Sequence, residues 1–235
     1  MRLTELEPRT NPAPLITGWD GTEQIVYGNF DNDNFADRAA VAQAGGSVRV
    51  MVFRNPHNHD GEFNAYDPWP VMLNTIVFDP NFRGGGSIAV VPYSLNADFV
   101  VPAALLVVPG PGGGPVVARF DFATGDRFDF FAPYDTNFRG GLWISTGDID
   151  DDREPEALFL PGEGGGPRLV AIDMRTYETE LSIFVGDRED TSGRARFEPT
   201  GGTISRGADR FFYIQFGDVV DFRAESKLIP IPERT

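Results

Sequence analysis

Short apolar runs set off by turn-forming residues recur along the chain. Ser87–Val91, Ala103–Val108, Val116–Phe122 and Arg127–Phe131 form one series of four, each bounded by Gly, Pro, Asp or Asn. Gly141–Ile149, Glu156–Leu160, Arg168–Asp173 and Glu180–Val185 form a second. Runs of this length between turn formers predict β-strands. Arg210–Phe216 and Val219–Phe222 add strands near the C-terminus, and Leu15–Trp19 or Gln24–Tyr27 one near the start. No window keeps a helical period over three turns, so the class is all-β.

The runs repeat because the turns between them repeat. The segment from Pro109 to Pro115 (PGPGGGP) returns from Pro161 to Pro167 (PGEGGGP), 52 residues on. Asn81-Phe82-Arg83-Gly84-Gly85 returns as Asn137-Phe138-Arg139-Gly140-Gly141, 56 residues on. A more distant pair joins Gly28–Asp33 to Gly147–Asp152. Four strands in about fifty residues, repeated, is the arithmetic of a propeller blade. The expectation is a β-propeller of about four blades, each a four-stranded antiparallel sheet. Its units run over about 24–84, 85–140, 141–200 and 201–235, the last completed by an N-terminal strand, so that 13–235 is one domain behind an arm at 1–12. Closing the ring would hide sheet edges that otherwise invite aggregation, and an open or dimer-completed assembly is the rival.

Composition removes several classes of function. The 27 glycines and 19 prolines, about a fifth of the 235 residues, argue against a helix bundle. A net charge of −15 argues against nucleic acid, whose phosphates call for clustered Lys and Arg. With no cysteine there is no disulfide, thiolate zinc site or cysteine nucleophile. No apolar stretch is long enough for a transmembrane helix, and Met1–Ile16 has no apolar signal core. His57-Asn58-His59-Asp60 lies between Pro56 and Gly61 and reads as an exposed loop rather than a metal site. The glycine-rich turns end in Pro115 and Pro167 with no Lys-Ser/Thr after them, so they read as tight turns between strands, not phosphate loops.

Two acidic loops carry the candidate chemistry. Asn29, Asp31, Asp33 and Asp37 fall at positions 1, 3, 5 and 9 of a nine-residue loop, with the Phe35 carbonyl available at position 7. Asp148, Asp150, Asp152 and Glu156 fall at the same positions of a second loop, with Glu154 at position 7. Alternate oxygens on a tight loop can converge on Ca²⁺, which takes roughly six to eight hard oxygen ligands. Ala40 replaces the glutamate of an EF-hand. Position 6, which favours Gly for a sharp turn, is Asn34 in one loop and Arg153 in the other. The middle unit, at Asn96–Val100, has lost the pattern. The plain alternative is an acidic solvated turn. An ion here would be structural, pinning a loop between strands.

The run Val116–Asp121, Thr124-Gly125, Phe131, Tyr134-Asp135, Phe138 and Gly140-Gly141, continuing into Gly147–Glu156, resembles the FG-GAP/VCBS-type propeller repeat over roughly residues 24–190. That resemblance implies calcium in the loop between the first two strands of a blade. Leu6-Glu7-Pro8-Arg9-Thr10-Asn11-Pro12-Ala13 resembles a short signature near the start of surface or secreted proteins of planctomycete-like bacteria. Together these imply a non-enzymatic, calcium-stabilised module outside the cell or on its surface, binding a protein partner or serving a larger assembly, with homo-oligomerisation left open. A glycan-binding lectin is the alternative, with Tyr66, Trp69 and Trp143 as candidate stacking residues; a carboxylate glycoside hydrolase is the third reading.

Overall fold

Alternation and turn chemistry lay the strands down where the apolar runs stand. The computed structural model describes residues 23–192 apart from 34, 43–44, 57–68, 92–102, 123–126, 151, 153 and 190, and beyond them only four strands between 195 and 230. β1 (Gln24–Gly28), β2 (Asp37–Val41), β3 (Arg49–Phe53) and β4 (Val71–Ile76) form the first sheet. β5 (Gly86–Val91), β6 (Ala104–Pro109), β7 (Val117–Asp121) and β8 (Arg127–Phe131) form the second. β9 (Leu142–Gly147), β10 (Glu156–Pro161), β11 (Arg168–Asp173) and β12 (Thr179–Phe184) form the third. Each is an antiparallel meander in chain order. The protein is therefore all-β, with almost no helix and, among the described residues, none long and apolar enough to cross a membrane.

The expected four blades are corrected to three four-stranded antiparallel sheets. β13 (Ala195–Phe197), β14 (Thr203–Arg206), β15 (Asp209–Phe216) and β16 (Glu225–Pro230) do not meander. β15 pairs with β13 and β14 at its two ends, and with β16 over Phe211–Phe216. β16 overlaps both of the other pairings, so β13 and β14 share the opposite edge of β15. No closed ring is found among the described residues. The physical reason lies in the turns: 195–235 contains neither the glycine-rich turn nor the Asn-Phe-Arg-Gly-Gly segment that joins the other sheets. Val219–Phe222 and Leu15–Trp19, expected as strands, lie outside the described residues.

Burial follows position in the stack. Central strands β6 and β10 are buried along their whole length because neighbouring elements cover both faces, whereas the outer strands β4 and β12 alternate toward solvent. One apolar layer joins Ala39, Val41, Val50 and Val52 of the first sheet to Leu105, Val107 and Phe120 of the second. The next joins Leu106, Val108 and Val117 to Ala157, Phe159, Val170 and Ile172. A third layer, Leu158, Leu160, Leu169 and Ala171, lies on the far face of the third sheet, where β13 packs against β9 and β10. Each fully buried Leu or Phe contributes about 1.5–3 kcal/mol, so these layers are the main source of stability.

Backbone hydrogen bonds between glycines at one end both join neighbouring sheets, as Gly85–Gly46 and Gly141–Gly113 do, and extend the first strand pair within a sheet, as Gly110–Gly85 and Gly162–Gly141 do. Gly85 N donates to Gly46 O (3.0 Å) and Gly110 N to Gly85 O (2.8 Å). Gly141 N donates to Gly113 O (3.1 Å) and Gly162 N to Gly141 O (2.9 Å). Gly45, Gly112 and Gly164 take the same left-handed place in successive turns, at φ 102°, 86° and 87°. The first sheet thus has its own copy of the turn, at Gly45 and Gly46. Arg83 and Arg139 brace the approach to each junction: their Nη1 atoms donate to Pro80 O and Phe82 O, and to Thr136 O and Phe138 O.

A side chain reinforces the junction of the second and third sheets. The Tyr134 hydroxyl lies 2.7 Å from Phe159 O and 2.6 Å from Arg168 O. Tyr134→Phe is expected to cost about 1 kcal/mol, lowering the melting temperature by roughly 2–4 °C in a thermal melt.

Candidate metal centre

The two acidic loops fold by the same local rules. Each connects the first two strands of a sheet, β1 to β2 and β9 to β10. An Asp side chain accepts the backbone N–H two residues on, the bond of an Asx turn. In the first loop Asp31 Oδ1 accepts from Asp33 N (3.3 Å) and Asp33 Oδ1 from Phe35 N (2.7 Å). In the second, Asp150 Oδ1 accepts from Asp152 N (3.2 Å) and Asp152 Oδ1 from Glu154 N (2.8 Å). The last carboxylate then reaches back across each loop. Asp37 Oδ2 accepts from Phe30 N (2.8 Å), and Glu156 Oε2 from Ile149 N (2.6 Å). Phe30 and Ile149 are buried in the apolar layers, which roots both loops. In the first loop the Asn29 side chain also bonds Asp33 N and O, and Asn32 turns the chain at φ 64°.

The loops part company in what their oxygens face. Asp148, Asp150 and Glu156 each bring a carboxylate oxygen within 4.8 Å of the other two, the one such cluster among the described residues. Glu156 is 1% exposed, and its Oε1 is buried without a hydrogen-bond partner. Burial pushes the Glu156 carboxyl up to about 8, the Ile149 amide opposes that rise, and the charges of Glu180, Asp150 and Asp148 add to it. A buried acid with an idle oxygen, crowded by other acids, is the donor set a hard cation would satisfy. Asp152 and Glu154 stand outside this cluster.

The first loop spends its oxygens differently. Asp37 is fully buried, and while Oδ2 takes the Phe30 amide, Oδ1 accepts from Asn55 N (2.8 Å). Arg54 Nε lies 2.7 Å from Asp31 Oδ2, an ion pair without hydrogen-bond alignment. Asp33 Oδ2 is buried with no hydrogen bond, and burial raises the Asp33 and Asp37 carboxyls above their usual range. Asn29, Asp31, Asp33, Phe35 and Asp37 therefore share one loop, but Asp31, Asp33 and Asp37 form no three-carboxylate cluster. At Phe35 the amide is engaged with Asp33 and the ring is exposed.

Arg54, Asn55, Asp173 and Glu180 were not among the residues singled out by loop spacing. Arg54 was legible from the repeat. Strand pairing sets Arg38 opposite Phe53, Leu105 opposite Phe120 and Ala157 opposite Ile172. The next residues, Arg54, Asp121 and Asp173, therefore hold equivalent places. Asp173 turns into its own loop, accepting from Arg175 N (2.6 Å) and Thr176 N (2.9 Å). Asn34, Arg153, Asn96–Val100, Tyr66 and the His57–His59 segment lie outside the described residues.

Comparison of the chain with protein-family models, with curated proteins and with solved structures gives no match.

Proposed function

We propose that this chain is a calcium-stabilised, repeat-built module of the FG-GAP/VCBS type. It works without catalysis, at the cell surface or outside the cell, as a rigid platform for a protein partner or within a larger assembly. The observation that carries the reading is the Asp148–Asp150–Glu156 cluster, with the buried idle oxygen of Glu156 beside it. These three residues would hold the ion, and the ion would supply the positive charge that their crowding calls for. The donors are all carboxylate oxygens, with no nitrogen or sulfur, which suits Ca²⁺ rather than a softer metal. The loop sits between β9 and β10, so an ion there ties the inner strand of the third sheet to its buried neighbour. The stacked sheets then hold their connecting loops in fixed places, which is what a recognition surface needs.

The test is a thermal melt of cation-free protein with and without added Ca²⁺. At about 100 times Kd, binding adds roughly 2.7 kcal/mol and raises the melting temperature by roughly 5–10 °C. Identical melts in excess Ca²⁺ and in EGTA overturn the calcium reading. Turnover of a glycan substrate that is abolished by Asp148→Asn would overturn the non-enzymatic one.

A further inference from the structure

We propose that Arg54 is the built-in counter-ion of the first acidic loop, so that this loop takes no divalent cation and the chain has one cation site, not two. The inference rests on the calcium reading of the second loop, and its test separates the two.

Three observations support it. The Arg54 guanidinium lies 2.7 Å from Asp31, and Asp31 holds the third loop position, the place of Asp150 in the second loop. A positive charge at that distance neutralises the carboxylate and repels a divalent ion seeking the same oxygen. Asp37, at position 9, has both oxygens engaged by backbone amides. Glu156 is one methylene longer; one oxygen meets the equivalent amide and the other remains idle. Finally, the repeat places aspartate at the Arg54 position in both other sheets, as Asp121 and Asp173. An arginine there reverses the charge that the unit otherwise carries beside its second strand. The result is a loop that keeps the shape of an ion site and supplies its own cation.

The experiment is a Ca²⁺ titration read as stoichiometry, by calorimetry and native mass spectrometry. The natural chain is expected to bind one equivalent and Arg54→Asp two. Arg54→Lys, which keeps a positive charge, is expected to stay at one. Two equivalents on the natural chain, or no gain in Arg54→Asp, overturn the inference. Should Arg54→Asp fold poorly, Glu156→Gln alone decides: complete loss of Ca²⁺ binding supports a single site, and one retained equivalent overturns it. A natural chain that binds none while Arg54→Asp binds one would sink the calcium reading of the second loop and uphold the role of Arg54.

Discussion

Replacing Glu156 with glutamine is expected to move stability in opposite directions with and without calcium. In the cation-free protein the carboxyl of Glu156 is buried and crowded, and its pKa rises from 4.5 to about 8. The folded state therefore binds this proton more tightly than the unfolded chain does. The contribution of Glu156 to stability is fullest below about pH 4.5 and is lost as pH rises toward 8, because the buried group must ionise among Glu180, Asp150 and Asp148. At about 1.4 kcal/mol per pH unit, the cost at pH 7 is on the order of 3 kcal/mol. Glutamine has nearly the same shape and carries no charge. In EGTA at pH 7, Glu156→Gln should therefore melt several degrees above the natural chain and lose less stability between pH 5 and pH 8. In saturating Ca²⁺ the order should reverse, since the natural chain gains binding energy and the variant has lost a ligand. Melts over that pH range, with and without calcium, check both halves. Equal pH dependence of the two proteins in EGTA would show that Glu156 carries no buried-charge penalty.

The strands of the second and third sheets were legible because turn and strand repeat together. Ala104–Pro109 and Glu156–Pro161 stand between the same Gly and Pro boundaries, and continuous apolar content marks them as buried. The first sheet was harder to read. Its turn at Gly45 and Gly46 has none of the prolines that advertise the other two, and a long connection separates β3 from β4. The C-terminal strands show the opposite failure. Arg210–Phe216 reads as a strand and is one, but alternation within a strand says nothing about which neighbour it pairs with. In this chain that choice goes with the glycine junctions, which the last segment lacks. The same limit holds at the acidic loops. Spacing placed Asp31 and Asp150, and Asp37 and Glu156, in equivalent positions, and the local turns agree. Whether an oxygen is free depends on groups far along the chain: the amide of Asn55 on Asp37, the guanidinium of Arg54 on Asp31, and the charge of Glu180 near Glu156. One methylene of side-chain length then separates a satisfied carboxylate from an idle one.

Adding a single methyl group at Gly140 is expected to destabilise the protein strongly. A Cβ there would overlap the carbonyl oxygen of Glu163 and the ring of Phe138. A Cβ on Gly162 would likewise overlap the carbonyl of Gly140, so the two backbones approach too closely for a side chain on either. Gly84 and Gly110 stand in the same relation one sheet earlier. The Glu163 carbonyl is backbone, which cannot swing aside as a side-chain tip can. Relief requires the end of β10 to move away from the start of β9, breaking the Gly162–Gly141 hydrogen bond and disturbing the layer around Phe159. Overpacking of this kind costs about 1–3 kcal/mol, and the lost hydrogen bond adds about 1 more. Gly140→Ala should thus lose roughly 2–4 kcal/mol, seen as a shift in the denaturation midpoint at unchanged slope. Gly114 supplies the control. It lies in the adjoining turn, and a Cβ there meets nothing closer than Arg139 Nη1 at 3.7 Å. Gly114→Ala should stay within about 0.5 kcal/mol of the natural chain. If the two variants unfold at the same denaturant concentration, close backbone contact is not what holds the start of β9 against the end of β10, and the cohesion of that end must come from the apolar layers alone.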